Sequence, residues 1–597
     1  MMHRKAALLP FFITGPPGIA DPTIRPMRAF LVTRLQARKL PRWALLLLCG
    51  LYILPGFIGR DPWRVDDAAG FGIALTMARG GPLDWLVPNI AGMWVVDDGG
   101  PLPFVFAALI AKAFAFLAPL HQSAMLASAA GLALTLVAFW YASYALSRRP
   151  GLQFPDPLGA GASRTDFGRA IADSGLLVLL ACLGLITRMH ETTAAAGQVG
   201  LVTMFLFGAA WSLERPRHGA VVVALAIAAS VATRGLAPAI AMLVAWLALP
   251  LISQPFRLVW RSSFTVGVPL AIAAGAAWPL ALMFASPESR EFLSQWLAWN
   301  AGSIGWLPTT DTLTYLARTT PWYYWPVWPL ALWAIGRWRS KLDLPAIALP
   351  LATLACLAVP ALLARHADEA ELLPLVPPLA MLAAVGLPTL RRGIVSLIDW
   401  FAVTVYTLLG VAVWAYWIAF NTGYPPRMAY RASMFAPEFV PDWIFVELLL
   451  GALATIAWLL LVRWRVSRQR PVIWRAVVLS AGGLVFTWFL LMSLWLPAFD
   501  ARNTYRDIGL GVREQLAASD SCVQTRGLGR AERASIYYFA EARLDPPGEA
   551  CDWLLIQDEG PLAFTEPGPV PGAQLAWSGK RRDRIDERFR LYRRTAP

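Results

Sequence analysis

Residues 401–420 read FAVTVYTLLGVAVWAYWIAF, twenty positions without a charged side chain. An α-helix of this length is about 30 Å long, which matches the hydrocarbon core of a bilayer. The stretches 44–58 and 476–496 have the same character. In the whole chain of 597 residues 57% are hydrophobic and 15% are charged, fewer than the roughly one quarter usual in soluble domains. The sequence therefore predicts an all-α protein with many membrane-spanning helices.

The formal net charge of +14 comes mainly from short loops between the apolar runs. Lys and Arg in such loops orient a membrane protein, because they remain on the cytoplasmic side. Many of the 28 tryptophans flank the apolar runs, where an amphipathic ring lies well at the headgroup level. Nucleic-acid binding, which this charge would suggest in a soluble protein, is therefore disfavoured.

Apolar runs divide the chain into about thirteen predicted spans between residues 42 and 496. We place them near 42–58, 122–146, 171–187, 194–212, 218–233, 236–252, 265–285, 323–336, 344–364, 373–389, 396–420, 444–462 and 476–496. The basic segment 1–41 is predicted to be cytoplasmic and to lack a cleavable signal peptide, because Pro10 interrupts its apolar stretch. With an odd number of spans, the polar tail 497–597 lies on the opposite, external side.

With the spans placed in this way, most positive and most negative side chains fall on opposite sides of the membrane. The loops predicted to be inside hold most of the cations between spans: Arg148, Arg149, Arg164, Arg169, Arg215, Arg217, Arg257, Arg261, Arg337, Arg339, Lys341, Arg391, Arg392 and those of 463–475. The opposite loops hold Asp61, Asp66, Asp67, Asp84, Asp97, Asp98, Glu191, Glu288, Asp311, Asp368, Glu369 and Glu371. Arg427 and Arg431 are the main exception. Residues 102–120 are read as a surface or re-entrant helix within the first external loop, 59–121, because another span would invert every later loop.

The tail 497–597 is long enough for a small α/β domain and contains the β-like run 553–556. Cys522 and Cys551 both lie in it. A disulfide between them is expected if the tail faces an oxidising compartment, and two unpaired thiols are the alternative.

The first external loop holds the most informative motif, Gly59-Arg60-Asp61-Pro62-Trp63-Arg64-Val65-Asp66-Asp67-Ala68. Adjacent carboxylates beside an arginine at the mouth of a membrane cavity have the groups needed to accept a proton and to hold a phosphate. A solvated acidic loop is the alternative from spacing alone.

This loop resembles the first external loop of bacterial GT-C type lipid-linked glycosyltransferases, which are related to the lipid A aminoarabinose transferase and protein O-mannosyltransferases. The resemblance continues, in order, at 77–79, 84–88, 100–102, 188–191, 321–326 and 371–379. It implies a GT-C-like fold with a small external C-terminal domain. It also implies transfer of a sugar from a polyprenyl-phosphate carrier, with no metal and no other cofactor.

The resemblance assigns an essential role to Asp66, with Asp67 in place of the Glu that relatives carry. Both carboxylates are expected at the catalytic centre, where Asp67 and Arg64 would hold the local geometry and balance charge. Relatives often have a Lys that contacts the carrier phosphate, but Gly99 stands near its place here. Another cation must then meet the phosphate, and Arg64, Arg318 and Arg365 are the candidates.

Further substrate-binding residues are expected at Asp98, His190, Glu191 and Arg365. For His190 and Glu191 the alternative is a packing or helix-capping pair. Arg188 beside them is expected to reach the membrane interface only. For Arg365, a phosphate clamp partnered by Glu371 is weighed against a solvated loop with local salt bridges.

The expected reaction is an inverting transfer at the periplasmic face of a bacterial inner membrane. The acceptor is lipid A, another glycolipid or a glycan, and protein hydroxyls rank last. A polytopic transporter or flippase is the rival from another class, and a catalytically silent envelope scaffold is a third reading. Paired inverted repeats, which are common in transporters, are not evident in the sequence.

Overall fold

The structure is a computed structural model, and it describes residues 32–63, 65–97, 99–153, 161–442, 444–467, 472–516, 521–564, 570–581 and 587–594. Arg64 and Asp98, both predicted to bind substrate, lie outside these residues.

The described chain is mainly helical. Its α-helices are α1 Arg42–Ile53, α2 Asp66–Arg79, α3 Leu102–Phe114, α4 Leu120–Ser147, α5 Arg164–Leu180, α6 Leu185–Arg188, α7 Ala194–Ser212, α8 Pro216–Arg234, α9 Leu236–Ile252, α10 Gln254–Ala285, α11 Pro287–Ser303, α12 Thr310–Tyr323, α13 Val327–Trp338, α14 Pro345–Leu363, α15 Glu369–Leu372, α16 Val376–Gly386, α17 Arg392–Thr422, α18 Pro426–Phe435, α19 Phe445–Ser467, α20 Val478–Leu494, α21 Leu496–Asn503, α22 Arg506–Gln515, α23 Arg530–Phe539 and α24 Pro561–Phe564. The strands are β1 Asn89–Ile90, β2 Met93–Trp94, β3 Cys522–Arg526, β4 Arg543–Leu544, β5 Trp553–Glu559, β6 Ala573–Lys580 and β7 Glu587–Arg594.

Among the described residues, eight helical segments are long and apolar enough to cross a membrane, or nine if the bent pair α20 and α21 is one span. The protein is therefore a multi-pass membrane protein. Every predicted span overlaps a helix, but the count of about thirteen is not confirmed. The helices α1 and α9 are apolar but short, and α5 carries Arg169 and Asp173 within seventeen residues. The hydropathy of the sequence alone does not distinguish such helices from helices that are long enough to cross a membrane.

The first external loop folds over the helical domain as α2, the β1–β2 hairpin and α3. Eleven residues of α2, from Asp67 to Met77, are buried. One side of this helix packs on α3 and the other on α23 of the tail, where Ala534 lies against Gly72. The tail and the membrane domain therefore hold α2 between them, with its N-terminus at Asp66 open to solvent.

The tail forms a small domain around a five-stranded sheet of order β4-β3-β5-β7-β6. Strand β3 is parallel to β4 and β5, while β7 is antiparallel to β5 and β6. Apolar side chains at alternate positions, such as Leu555 and Leu591, face a buried core. The predicted small α/β domain is present, and the predicted β-run lies in β5. Cys522 and Cys551 are joined in a disulfide with a Cα–Cα distance of 5.1 Å.

Candidate active site

The two adjacent carboxylates at the start of α2 lie in different environments. Asp66 is half exposed, and its Oδ2 accepts a hydrogen bond of 2.9 Å from Arg188 Nη1. Asp66 lies in the first turn of α2, where the helix dipole favours an acidic residue. Its side chain is therefore open to a ligand.

Asp67, in contrast, is 1% exposed. Its Oδ2 accepts hydrogen bonds from Arg60 Nη1 at 2.6 Å and from the backbone of Trp63 at 3.0 Å. Its Oδ1 accepts one of 2.7 Å from the backbone of Thr192. Both oxygens of Asp67, which was expected at the catalytic centre, are occupied and shielded, so the structure gives it a place among the contacts that hold the loop and not at the opening. It ties the first loop to the segment before α7.

Arg188 connects the site to two other carboxylates. Its Nη1 donates to Glu191 at 3.1 Å, and its Nε donates to Glu369 on α15 at 2.6 Å. The expectation that Arg188 only reaches the interface is therefore wrong. Its position two residues before the His190-Glu191 pair was the only signal of this role in the sequence.

Glu191 lies at the border between this charged cluster and an apolar cavity. Burial raises the pKa of its carboxyl to about 7, and the charges of Asp67 and Asp66 add to the effect although Arg188 opposes it. The cavity holds about 340 Å³. It is lined mainly by apolar residues of α3, α4 and α7, with Thr192 and Thr193 beside Glu191. The site therefore joins an acid-rich opening to an apolar chamber.

The Glu191→Gln variant is expected to gain stability over the wild type as the pH rises. In the folded protein Glu191 keeps its proton up to about pH 7, whereas its ordinary pKa is 4.5. A carboxyl whose pKa is raised by folding makes the protein lose stability as the pH rises between these values, and glutamine removes this loss. We expect the difference in apparent Tm between variant and wild type to grow from the acid to the alkaline end of this window. An equal difference at both ends would contradict the assignment.

His190 is buried among aromatic rings. Its ring centroid lies 4.8 Å from that of Trp488 and 5.0 Å from that of Phe57. Both ring nitrogens lie near carbonyl oxygens, at 2.5 Å from Ile186 and 2.9 Å from Tyr52. These partners match the packing alternative for His190, whose side chain lies at the base of the site.

Arg365 and Glu371 do not form the expected clamp. Glu371 Oε1 pairs with Arg234 Nη2 at 3.0 Å. Arg365 is exposed beside Gly305, and none of the described residues forms an ion pair with it. The helix α15 therefore presents Glu369 to Arg188 and Glu371 to Arg234, so two arginines lie on one acidic turn.

Two glycines let the first loop approach the end of α8, where Arg234 lies. Gly99 has a φ of +98°, and a Cβ there would collide with the backbone of Thr233. The backbone N–H of Gly100 donates to Thr233 O at 3.1 Å. The position where a lysine was expected therefore lies against the backbone of Arg234, a cation that the sequence did not single out.

The C-terminal domain holds the loop from the other side. Asp61 is buried, and its Oδ2 accepts from Arg506 Nε at 2.7 Å and from Thr504 Oγ1 at 2.9 Å. His121 Nε2 lies 3.6 Å from its other oxygen. Trp63 Nε1 donates to Asp500 at 2.7 Å. The start of the loop that carries Asp66 is therefore fixed by the tail.

The Arg506→Gln variant is expected to lose about 2 kcal/mol of stability, because a buried Asp61 loses its cation. The loss is below the roughly 3–5 kcal/mol of fully buried pairs since Arg506 itself is 43% exposed. Thermal unfolding and limited proteolysis of the tail measure it. Arg513→Gln on the same helix is the matched control, because its pair with Glu541 is exposed on both sides. Equal losses in both variants would show that Asp61 does not fix the domain.

The fold is similar to that of two solved structures. Over 92% of this chain and 98% of the other, it superposes on ArnT from Cupriavidus metallidurans bound to undecaprenyl phosphate, with a TM-score of 0.65 and 13% identity. The apo state of ArnT from the same organism matches the same shares with a TM-score of 0.63 and 14% identity. Arabinosyltransferase EmbB from Mycobacterium smegmatis covers 89% of this chain and 46% of its own at 18% identity, with a TM-score of 0.38, too low to indicate a shared fold.

No protein-family model and no curated protein sequence matches the chain. The likeness to ArnT confirms the GT-C-like fold that the sequence resemblance implied. At these identities it establishes the fold alone.

Proposed function

We propose that the protein is a membrane glycosyltransferase that moves a sugar from a polyprenyl-phosphate carrier to an acceptor of the bacterial cell envelope. The observation that carries the proposal is the half-exposed Asp66, held by Arg188 next to an apolar cavity that ends at Glu191. A lipid-linked donor needs an apolar place for its chain and a charged place for its phosphate. Undecaprenyl phosphate bound to ArnT, a protein of the same fold, supports a carrier of this kind.

In the proposed reaction an acceptor oxygen attacks the anomeric carbon, and the bond from that carbon to the phosphate oxygen breaks. The configuration inverts, and the carrier leaves as a phosphate. Asp66 accepts the proton of the acceptor or orients it, because its carboxyl group is open to the site. Asp67 positions the loop without touching the reactants.

Arg188 and Arg234 are proposed to meet the phosphate. They replace the lysine that the resemblance led us to expect, and they take the place of Arg365 and Arg318 as candidates. Their carboxylate partners on α15, Glu369 and Glu371, hold them when the site has no anion. A bidentate guanidinium offsets phosphate charge well, and more so in a site shielded from water.

We place this reaction on the periplasmic face of the inner membrane, with the N-terminus in the cytoplasm. The basis is the distribution of Lys and Arg along the sequence. A lipid or glycan acceptor is preferred to a protein. Catalysis is proposed to need no metal.

The test is mass spectrometry of envelope lipids and glycans from a deletion strain with and without the restored wild-type gene. We expect one sugar-modified species to disappear on deletion and to return with the gene. The unmodified acceptor and the sugar-charged carrier should accumulate in the deletion strain. If the modified species disappears but the sugar-charged carrier accumulates only on the cytoplasmic face, the protein is a transporter.

A further inference from the structure

The helix α18 connects two lipid-exposed spans. The preceding helix α17 ends at Thr422 and is capped by Gly423, which has a φ of +75°, and α19 begins at Phe445. Most side chains of both spans are not covered by protein. The ten-residue helix α18 rests on α17 and buries Ala432. It therefore lies where the chain turns back into the membrane.

Two arginines project from α18. Arg427 and Arg431 are four residues apart and so share one face of the helix. Both are exposed, and no side chain in the described parts of the chain forms an ion pair with either. The nearby acid in the sequence, Glu438, pairs with Lys580 of the tail at 3.1 Å. These are the same arginines that break the charge rule in the sequence.

Exposed aromatic and apolar side chains accompany the arginines. Tyr424, Tyr430 and Met434 are all more than half exposed. Tyrosine favours the membrane–water interface, and a helix with basic and apolar surfaces lies well in the headgroup layer. The surroundings of the two arginines are therefore those of an interfacial helix.

The helix is on the same side of the protein as Asp66. Arg502 of the tail donates to Phe435 O at 3.1 Å, and its guanidinium lies 4.6 Å above the Phe435 ring. The ring centroids of Phe435 and Phe499 are 5.0 Å apart. The ring of Phe499 stacks on that of Trp63 with a centroid distance of 6.0 Å. A continuous aromatic chain therefore leads from α18 to the loop of Asp66.

We propose that Arg427 and Arg431 form a binding site for the anionic phosphate headgroup of a membrane lipid in the leaflet that Asp66 faces. Charge complementarity identifies the occupant, because two guanidinium groups that pair with no described side chain attract phosphate at the headgroup level. The site is separate from the apolar cavity, whose walls are α3, α4 and α7. It does not depend on the proposed transfer reaction, and its test measures lipid binding alone.

The test compares lipids retained by the purified full-length protein, measured by native mass spectrometry after equilibration with mixed vesicles. The vesicles contain phosphatidylglycerol and phosphatidylcholine with the same acyl chains. We expect the wild type to prefer phosphatidylglycerol and Arg427→Gln/Arg431→Gln to lose about 30-fold of that preference, roughly fivefold for each arginine. Arg427→Lys/Arg431→Lys should keep most of it, because the charge remains.

Arg593→Gln/Arg594→Gln is the matched control, because it removes two exposed arginines from β7 of the tail sheet, which does not adjoin a span. The control should retain the wild-type preference. Excess inorganic phosphate should not abolish retention if the occupant is a membrane lipid. An unchanged preference in the glutamine variant of α18, an equal loss in the control, or full displacement by inorganic phosphate would overturn the proposal.

Discussion

Asp66→Asn is expected to abolish sugar transfer while the protein still inserts and folds. Asparagine keeps the size of the side chain but cannot accept a proton, and loss of a positioned general base costs about 100- to 10,000-fold in rate. Because Asp66 is half exposed, the substitution leaves no buried group unpaired. Transfer from a polyprenyl-phosphate sugar by purified protein measures the loss, and thermal unfolding reports on the fold.

The control for this prediction is Asp311→Asn. Asp311 is also an exposed aspartate in the first turn of a helix, α12, so the change in charge and helix position is matched. We expect it to transfer sugar at the wild-type rate. Normal turnover by Asp66→Asn would contradict the assignment of Asp66 as the general base. If the Asp66→Asn variant restores the missing sugar modification in the deletion strain, a scaffold role is favoured.

Arg188→Gln is expected to reduce kcat/KM by at least about 100-fold, because two functions are lost together. One is the position of Asp66, whose carboxylate would face Glu191 and Glu369 without the cation between them. The other is the proposed contact with the donor phosphate. Arg188→Lys should be intermediate, since an ammonium keeps the charge but cannot reach three carboxylates as a planar fork does.

Measurements of unfolding free energy separate the positioning of Asp66 from the proposed contact with the donor phosphate. Arg188→Gln should lower the free energy of unfolding by about 2 kcal/mol, less than for a fully buried pair because Arg188 is 31% exposed. The double variant Arg188→Gln/Glu369→Gln removes one of the repelling charges and should recover part of the stability. It should not recover transfer. Recovery of transfer in the double variant would show that Arg188 only neutralises Glu369 and does not meet the substrate.

The spans, the sheet in the tail and the acidic first loop could be predicted because each depends on neighbouring residues. An uncharged run such as 401–420 must bury its backbone in a helix when it enters lipid, whatever the rest of the chain does. The short apolar run 553–556 similarly indicates a strand, and it lies in β5. The number of spans was harder, because α1 and α9 are apolar but short and α5 carries charged residues.

The partners of the charged residues could not be predicted in this way. Arg188 meets Asp66 across 122 positions of sequence, and Arg506 meets Asp61 across 445. Each carboxylate had several cations within reach on the same side of the membrane, and the positive-inside rule does not distinguish among them.

Sequence alone thus determined that this is a multi-pass membrane protein with an acidic first loop and a small α/β tail, since hydropathy and periodicity act locally. Only the tertiary structure decided that Asp66 is open while Asp67 is buried, and that Glu371 forms its ion pair with Arg234 instead of Arg365. Adjacent residues on a helix point in directions about 100° apart. The packing of α2 against α3 and α23 decides which of the two carboxylates reaches solvent.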